Sequence, residues 1–189
     1  MTRVSALLDA CVLYPARLRD LLLSLAAAEL FRPIWSDMIH EEWIVNVLAN
    51  RPDLTRRQLE QTRDAMNRAF PDASVRGFEP LLPTLFLPDR NDCHVLAAAI
   101  HAHAELIITV NLKDFPPATL LQRGIEAIHP DYFVGYLLDV DEDEAFAAVS
   151  KMRSRLRAPS MTPKEFIESI ERAGLFKTAS RLRASVNRI

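Results

Sequence analysis

Short apolar runs that alternate with helical segments are the feature that most constrains how this chain can fold. The segment Val4–Leu8 holds only apolar and small residues and is typical of a buried strand. Similar runs occur at Leu106–Val110 and Ile125–Ile128, and helical patterns lie between them. Strands separated by helices pair in parallel, and helices then cover both faces of the sheet. The sequence therefore predicts a three-layer α/β/α fold with a central parallel sheet and additional C-terminal helices.

Start and stop signals bound the predicted helices. Ser36 is a suitable N-cap for a helix that reaches about Ala49, and Asp89 is suited to cap a helix over Asn91–His103. Short extended pieces are also predicted between the helices, at Ile34–Trp35, Val75–Phe78 and Leu85–Leu87. The remaining helices of the first 139 residues are predicted at Leu18–Leu30, Thr55–Phe70, Pro116–Gly124 and Pro130–Leu138.

The C-terminal part differs from the rest in charge. Residues 1–150 carry 13 basic and 22 acidic side chains, a net charge of −9, whereas residues 151–189 carry 10 and 3, a net charge of +7. Helices are predicted there over Asp143–Leu156, Thr162–Ala173 and Phe176–Asn187. A basic tail on an acidic body indicates an anion-binding arm or an arm that folds back on the body, although solvated helix faces explain it equally well.

Composition limits the classes of protein to consider. The chain has 189 residues and 49% apolar residues, as in ordinary globular domains. Its apolar runs are too short to span a bilayer, and the N-terminus lacks a long signal-peptide core, so we expect a cytoplasmic protein without a membrane partner. The two cysteines, Cys11 and Cys93, form no disulfide framework and no CxxC metal pair.

Four acidic residues lie at or beside strand–helix junctions. Asp9 ends the first strand, Asp92 opens a helix, and Asp114 follows the strand Leu106–Val110. Each of these, taken alone, is explained as a helix cap or a loop residue. Together with a glutamate on the helix after Ser36, they favour a shared hard cation, because clustered carboxylates repel one another and are costly to desolvate.

The choice of glutamate depends on the buried stripe of its helix. Met38, Ile39, Trp43 and Val47 are predicted to face the core, and Glu42 follows Met38 by four residues, at the edge of that stripe. We therefore prefer Glu42 to its neighbour Glu41 as the inward carboxylate.

Other side chains invite weaker functional interpretations. The histidines His94, His101 and His103 suggest zinc, but the i, i+4 spacing of helical zinc sites is absent, so packing or surface roles are favoured.

Three sequence blocks resemble the motifs of PIN-domain ribonucleases, many of which are toxins of VapC-type toxin–antitoxin pairs. The blocks are Asp9-Ala10-Cys11-Val12-Leu13-Tyr14-Pro15, Asp89-Arg90-Asn91-Asp92-Cys93-His94-Val95-Leu96-Ala97-Ala98-Ala99 and Ile108-Thr109-Val110-Asn111-Leu112-Lys113-Asp114-Phe115. The resemblance covers about residues 4–138. It implies a PIN-like nuclease domain over residues 1–139 and a helical basic extension over residues 140–189.

The resemblance also implies a mechanism. The family's four acidic positions fall on Asp9, Glu42, Asp92 and Asp114. Of these, Asp9, Asp92 and Asp114 would hold Mg²⁺ or Mn²⁺, with Glu42 acting directly or through water; either Asp92 or Glu42 would orient or deprotonate the attacking water. The polar positions Thr109 and Asn111 would support the site.

The chain departs from the family's pattern at two positions. Cys11 stands where relatives often have Asn or Ser. Asn111 stands where some have another Asp, which weakens a second metal position.

The substrate implied by the resemblance is RNA, and the implied partners are an antitoxin protein and a second copy of the chain. The basic side chains that would contact the RNA backbone are Arg17, Arg19 and Lys113, with Arg153, Arg155 and Arg157 in the tail. Two other readings remain open at the level of the sequence. One is a non-catalytic PIN-like module that binds RNA or protein, with the basic tail as its arm. The other is a metal-dependent DNA nuclease of related fold.

Overall fold

The computed structural model describes residues 3–157 and 159–189, which include a parallel β-sheet. Five strands of this part of the chain form the sheet in the order β3-β2-β1-β4-β5, with helices flanking it. All neighbouring strands pair in parallel, which confirms the predicted fold class. The strands are β1 (Ser5–Leu8), β2 (Arg32–Ser36), β3 (Ser74–Val75), β4 (Leu106–Ile108) and β5 (Glu126–Ile128).

Helices connect the strands and continue after the last one. They are α1 (Ala10–Leu13), α2 (Ala16–Ala27), α3 (Asp37–Asn50), α4 (Arg56–Ala69), α5 (Cys93–His101), α6 (Pro117–Leu121), α7 (Pro130–Val140), α8 (Glu142–Ser154), α9 (Pro163–Arg172) and α10 (Phe176–Ala184). Within residues 3–157 and 159–189, no helix combines the length and the hydropathy that a bilayer-crossing segment needs.

The central strand β1 sets the position of the site. All four of its residues are buried, and it pairs with β2 on one side and β4 on the other. The register with β4 aligns Leu8 with Ile108. Because parallel strands end at the same edge of a sheet, the residues that follow Leu8 and Ile108 are brought side by side at that edge.

The chain divides into two compact units. The sheet unit comprises Val4–Tyr14 and Arg32–Ile128, and the helical unit comprises Arg3, Pro15–Phe31 and His129–Ile189. Helix α2 therefore groups with the C-terminal helices although it lies between two strands in sequence. The predicted domain boundary between residues 139 and 140 stays a prediction.

In the sheet unit, a buried polar network joins β2, α3 and α4. Trp43 Nε1 donates a hydrogen bond to His40 Nδ1 at 3.0 Å, and Trp35 Nε1 donates to Asn67 Oδ1 at 2.8 Å. The Nε2 nitrogen of His40 lies 3.2 Å from the same Asn67 oxygen. Because its Nδ1 accepts, the neutral ring carries its hydrogen on Nε2 and satisfies Asn67. Burial lowers the pKa of His40 to about 4, so the ring is neutral near neutral pH.

In the helical unit, Asp131 fixes the start of α10. Its carboxylate accepts hydrogen bonds from the Lys177 and Thr178 backbone N–H groups and from Thr178 Oγ1, each at 2.8 Å. A carboxylate at a helix N-terminus satisfies otherwise unpaired N–H groups and complements the helix dipole. The buried Asp131 is therefore a structural residue.

The structure corrects several local expectations. The Leu85–Leu87 segment forms no strand, and β4 ends at Ile108 rather than Val110. Met38 is 42% exposed, so the prediction that it belongs to the buried stripe of α3 is wrong. The apolar side chain and the helical spacing of Met38 predict burial. Met38 lies in the first turn of α3, however, where the helix end extends beyond the surface against which the helix packs.

Candidate active site

Asp9 is the most buried of the four predicted acidic residues. It follows β1 directly, its backbone N–H donates to the Ile108 carbonyl at 3.2 Å, and the residue is 2% exposed. It occupies the N-cap position of α1, yet its side chain makes no capping hydrogen bond within the described chain. The simple explanation of Asp9 as a helix cap therefore fails, and its buried carboxylate has another role.

Two side chains hold the Asp9 carboxylate in place. Thr109 Oγ1 donates to Asp9 Oδ2 at 2.7 Å, and Cys11 Sγ donates to the same oxygen at 3.0 Å. Thr109 Oγ1 in turn accepts the Asn111 backbone N–H at 3.0 Å, which directs its own hydrogen to Asp9. Burial raises the pKa of Asp9, and the hydrogen bonds from Thr109 and Cys11 oppose that rise.

Cys11 behaves as a neutral hydrogen-bonding group. Its sulfur also accepts the Val110 backbone N–H at 3.4 Å and lies 3.3 Å from Thr109 Oγ1. Burial, reinforced by the neighbouring Asp9 charge, raises the pKa of the thiol to about 12. A thiol with such a pKa has almost no thiolate at neutral pH, so the geometry argues against a reactive cysteine.

Asp92 lies at the junction between a short 3-10 turn, Arg90–Asp92, and α5. It is 9% exposed, and its side chain makes no capping hydrogen bond to α5 within the described residues. The local turn is instead fixed by Asp89, whose Oδ1 accepts the Asn91 backbone N–H at 2.9 Å. Asp92, like Asp9, is thus a buried acid at a helix start that does not cap the helix.

The pKa of Asp92 shows that the four predicted acidic residues share one electrostatic environment. Burial is the largest cause that raises this pKa to about 7, and the like charges of Asp9, Asp89, Asp114 and Glu42 raise it further. A carboxyl group that is half-protonated near neutral pH is a recognised property of functional sites. The repulsion would fall if a cation lay among these side chains.

The two adjacent glutamates of α3 have different partners. Glu41 is exposed and forms a bidentate pair with Arg56, at 2.8 and 2.9 Å, which lowers the pKa of Glu41. Glu42 is half-buried, and its Oε2 lies 3.1 Å from His94 Nε2 on α5. Glu42 is the glutamate that acts electrostatically on Asp9 and Asp92.

Asp114 ends the turn that follows β4. This turn, Leu112–Asp114, is closed by a hydrogen bond from the Asp114 N–H to the Asn111 carbonyl at 3.0 Å. Asp114 is half-buried, whereas Asn111 and Lys113 are exposed. The Asn111 main chain thus links Thr109 and Asp114, while its side chain faces the surface.

The predicted arginines are divided between packing and surface positions of the helical unit. The Arg17 guanidinium lies 5.7 Å from the centre of the Phe166 ring, and burial lowers the pKa of Arg19. Arg153 Nη1 donates to the Met161 carbonyl at 2.9 Å. Among these arginines, Arg155 and Arg157 in the tail are exposed, whereas the other three are half-buried.

The donor set is suited to a hard divalent cation in type and charge, since it consists of carboxylate oxygens. In the described residues, however, no three His, Cys, Asp or Glu side chains converge closely enough to form a ready-made metal site. The carboxylates form an electrostatic cluster whose side chains must adjust to share an ion. The zinc interpretation gains no support, because His101 and His103 are exposed and His94 contacts Glu42.

Sequence reasoning missed two contacts of this site. It did not anticipate that Cys11 donates to Asp9 or that His94 contacts Glu42.

Comparisons with known proteins identify the families that the chain resembles. A family model described as "PIN domain" matches residues 5–113, and one described as "VapC50 C-terminal domain" matches residues 130–184. A protein of Mycobacterium tuberculosis named "Putative ribonuclease VapC50" is 39% identical over 79 residues. That match covers 42% of this chain and 47% of the relative's length. No solved structure matches the chain.

Proposed function

This chain belongs to the PIN-domain family, whose model matches more than half of it, and we propose that it is a metal-dependent endoribonuclease that hydrolyses RNA phosphodiester bonds. The observation that carries the proposal is the cluster of acidic side chains around Asp92. Its pKa of about 7 reflects burial and the charges of the other acids. Evolved sites retain such an unfavourable arrangement when a cation or a reaction requires it.

The proposed ligands of the cation are Asp9, Asp92 and Asp114, with Glu42 acting directly or through water. Mg²⁺ is the proposed ion, with Mn²⁺ as a substitute, because both prefer carboxylate oxygens and retain several waters. When bound, such an ion lowers the pKa of a coordinated water and neutralises charge on the scissile phosphate.

Each acidic residue has a separate task in this proposal. Asp9 is the rigid member, because Thr109 and Cys11 hold its Oδ2. Either Asp92 or Glu42 would orient or deprotonate the attacking water, and the raised pKa of Asp92 in the metal-free chain reflects a repulsion that a bound cation would relieve. Glu42 and Asp114 complete the negative field that attracts the cation.

RNA is the proposed substrate, and a VapC-type toxin is the proposed biological role. The support is the similarity to a protein named as a ribonuclease, together with a match to the VapC50 C-terminal domain over the helices α7–α10. An antitoxin protein would then be the partner that blocks the site, and we expect a homodimer in the cytosol. The two free cysteines suit that reducing compartment.

The test compares cleavage of labelled single-stranded RNA by wild type and by three variants, two of them a matched pair of neighbouring glutamates. Asp9→Asn and Glu42→Gln should each reduce the rate by about a hundredfold or more, because each removes a charge from the site. Glu41→Gln, which alters the exposed neighbour on the same helix, should leave the rate within twofold. Chelation by EDTA should abolish cleavage, and added Mg²⁺ should restore it.

The same experiment separates the other candidate functions. Unchanged cleavage by Asp9→Asn would reject the metal-site mechanism. Binding of RNA without cleavage in Mg²⁺ and Mn²⁺ would indicate a non-catalytic module. Preferential cleavage of DNA flaps over single-stranded RNA would indicate a structure-selective DNA nuclease.

A further inference from the structure

His94 is a buried side chain that contacts the proposed site without being one of its acids. It lies on the first turn of α5, two residues after Asp92, and its side chain is 10% exposed. Its Nε2 lies 3.1 Å from Glu42 Oε2. The contact spans 52 residues of sequence. It joins α3, which carries Glu42, to α5, which begins directly after Asp92.

The direction of this hydrogen bond follows from its partner. An ionised carboxylate only accepts, so the Nε2 nitrogen of His94 must carry the hydrogen. The other ring nitrogen, Nδ1, is buried and has no hydrogen-bond partner in the described residues. The ring therefore directs its one hydrogen-bonded polar atom at Glu42.

Glu42 needs such a partner because it is otherwise weakly held. Its side chain is 39% exposed and has three rotatable bonds, whereas Asp9 is 2% exposed and held by Thr109 and Cys11. An unrestrained glutamate distributes over many rotamers and contributes its charge to the site for only part of the time.

We propose that His94 is a positioning residue that acts through Glu42: the Nε2–H donor fixes the Glu42 carboxylate beside Asp92, so that it completes the cation site. The inference rests on the proposed function, and it concerns the site's assembly rather than its chemistry. Partners that orient a metal-binding group are worth about 10- to 100-fold in metal affinity or activity in comparable sites.

The test measures Mn²⁺ binding by the full chain in calorimetry, without RNA, alongside kcat and KM for RNA cleavage. His94→Phe keeps the ring volume and removes the donor, so we expect Mn²⁺ affinity to fall about tenfold. His94→Gln retains an N–H donor and should stay within about threefold of wild type. The control His101→Gln, on the same helix and exposed, should match wild type. In His94→Phe we expect kcat to fall while KM for RNA changes less than twofold.

A double-mutant cycle separates this role from a structural one. If His94 acts through Glu42, adding His94→Phe to Glu42→Ala should cause no further loss of Mn²⁺ affinity. Additive losses would overturn the inference, as would a His94→Phe protein that binds Mn²⁺ and cleaves RNA like wild type. If His94→Phe fails to fold, the comparison of His94→Gln with His94→Ala in the folded proteins decides, and equal losses in both would overturn it.

The failures of the two proposals are distinguishable. A wild type that binds no Mn²⁺ and cleaves no RNA rejects the proposed function and this inference with it. A wild type that does both, with Mn²⁺ affinity unaffected in His94→Phe, rejects only the role of His94.

Discussion

Replacing Asp92 by Asn should stabilise the metal-free protein. The Asp92 carboxyl is buried beside other acids, and both effects raise its pKa to about 7 from an ordinary 3.8. A negative charge on Asp92 is therefore less favourable in the folded chain than in the unfolded chain. Asn removes the charge while it keeps the size and the polarity of the side chain.

The magnitude follows from the difference between the two pKa values. The interval from 3.8 to about 7 corresponds to about 4 kcal/mol of the free energy of unfolding. Asp92 is 9% exposed at the edge of the sheet, and water and salt screen part of the repulsion. We therefore expect Asp92→Asn to gain about 2 kcal/mol above neutral pH.

The direction of the Asp92 pKa shift determines the pH range in which the free energy of unfolding changes. Because the folded pKa is raised, the folded state binds the Asp92 proton more tightly, and the free energy of unfolding falls as the pH rises from 3.8 to about 7. The penalty is complete above that window and absent below it. The advantage of Asp92→Asn over wild type should thus be near zero at about pH 3.5 and maximal at about pH 8.

Urea denaturation in EDTA, at several pH values, measures this difference. Asp72→Asn serves as the control, since Asp72 is exposed and remote in sequence from the site. Millimolar Mg²⁺ should then stabilise wild type more than Asp92→Asn, because binding to the folded state shifts the equilibrium by mass action. If Asp92→Asn is no more stable than wild type at about pH 8, the claimed electrostatic coupling is refuted.

Other parts of the molecule give three further predictions. Asp131→Ala should lower the free energy of unfolding by about 2–4 kcal/mol, because three donors at the start of α10, two of them from Thr178, lose their acceptor; a loss below about 0.5 kcal/mol in urea denaturation would contradict this. His40 has a lowered pKa of about 4, so its contribution should be present above about pH 6.5 and lost as the pH falls toward 4, and a folded His40→Gln variant should show a flatter acid limb. In a Cys93→Ala background, Cys11 should react with iodoacetamide at least a hundredfold more slowly than a free cysteine at about pH 8, since its pKa is about 12; a rate like that of free cysteine would contradict the burial of the thiol.

Much of the sheet was predictable from local patterns. Val4–Leu8 is apolar enough to be a buried strand, and the runs at Leu106–Val110 and Ile125–Ile128 were predictable as further strands of a parallel sheet. The acids could be placed at strand–helix junctions for the same reason. Marginal segments were not predictable: Leu85–Leu87 has a strand-like composition but forms no ladder in the structure. Sheet pairing depends on available neighbours as much as on composition.

The contacts within the site could be identified only from the three-dimensional structure. Thr109 can donate its hydrogen bond to Asp9 because the β1–β4 register aligns Leu8 with Ile108. No local sequence signal specifies that register. The grouping of α2 with helices more than a hundred residues away is equally non-local. The sequence predicts that the acidic residues lie near one edge of the sheet. The side chains that hydrogen-bond to them are identified only from the packing of the folded chain.

The most direct test of the proposed cation site is the anomalous density of crystals of the full chain soaked in Mn²⁺. We expect one strong peak with carboxylate oxygens of Asp9 and Asp92 at about 2.1 Å, and Asp114 and Glu42 as direct or water-mediated neighbours. No peak at these carboxylates in a crystal of a protein that cleaves RNA with Mn²⁺, or a peak bound only by other residues, would contradict it.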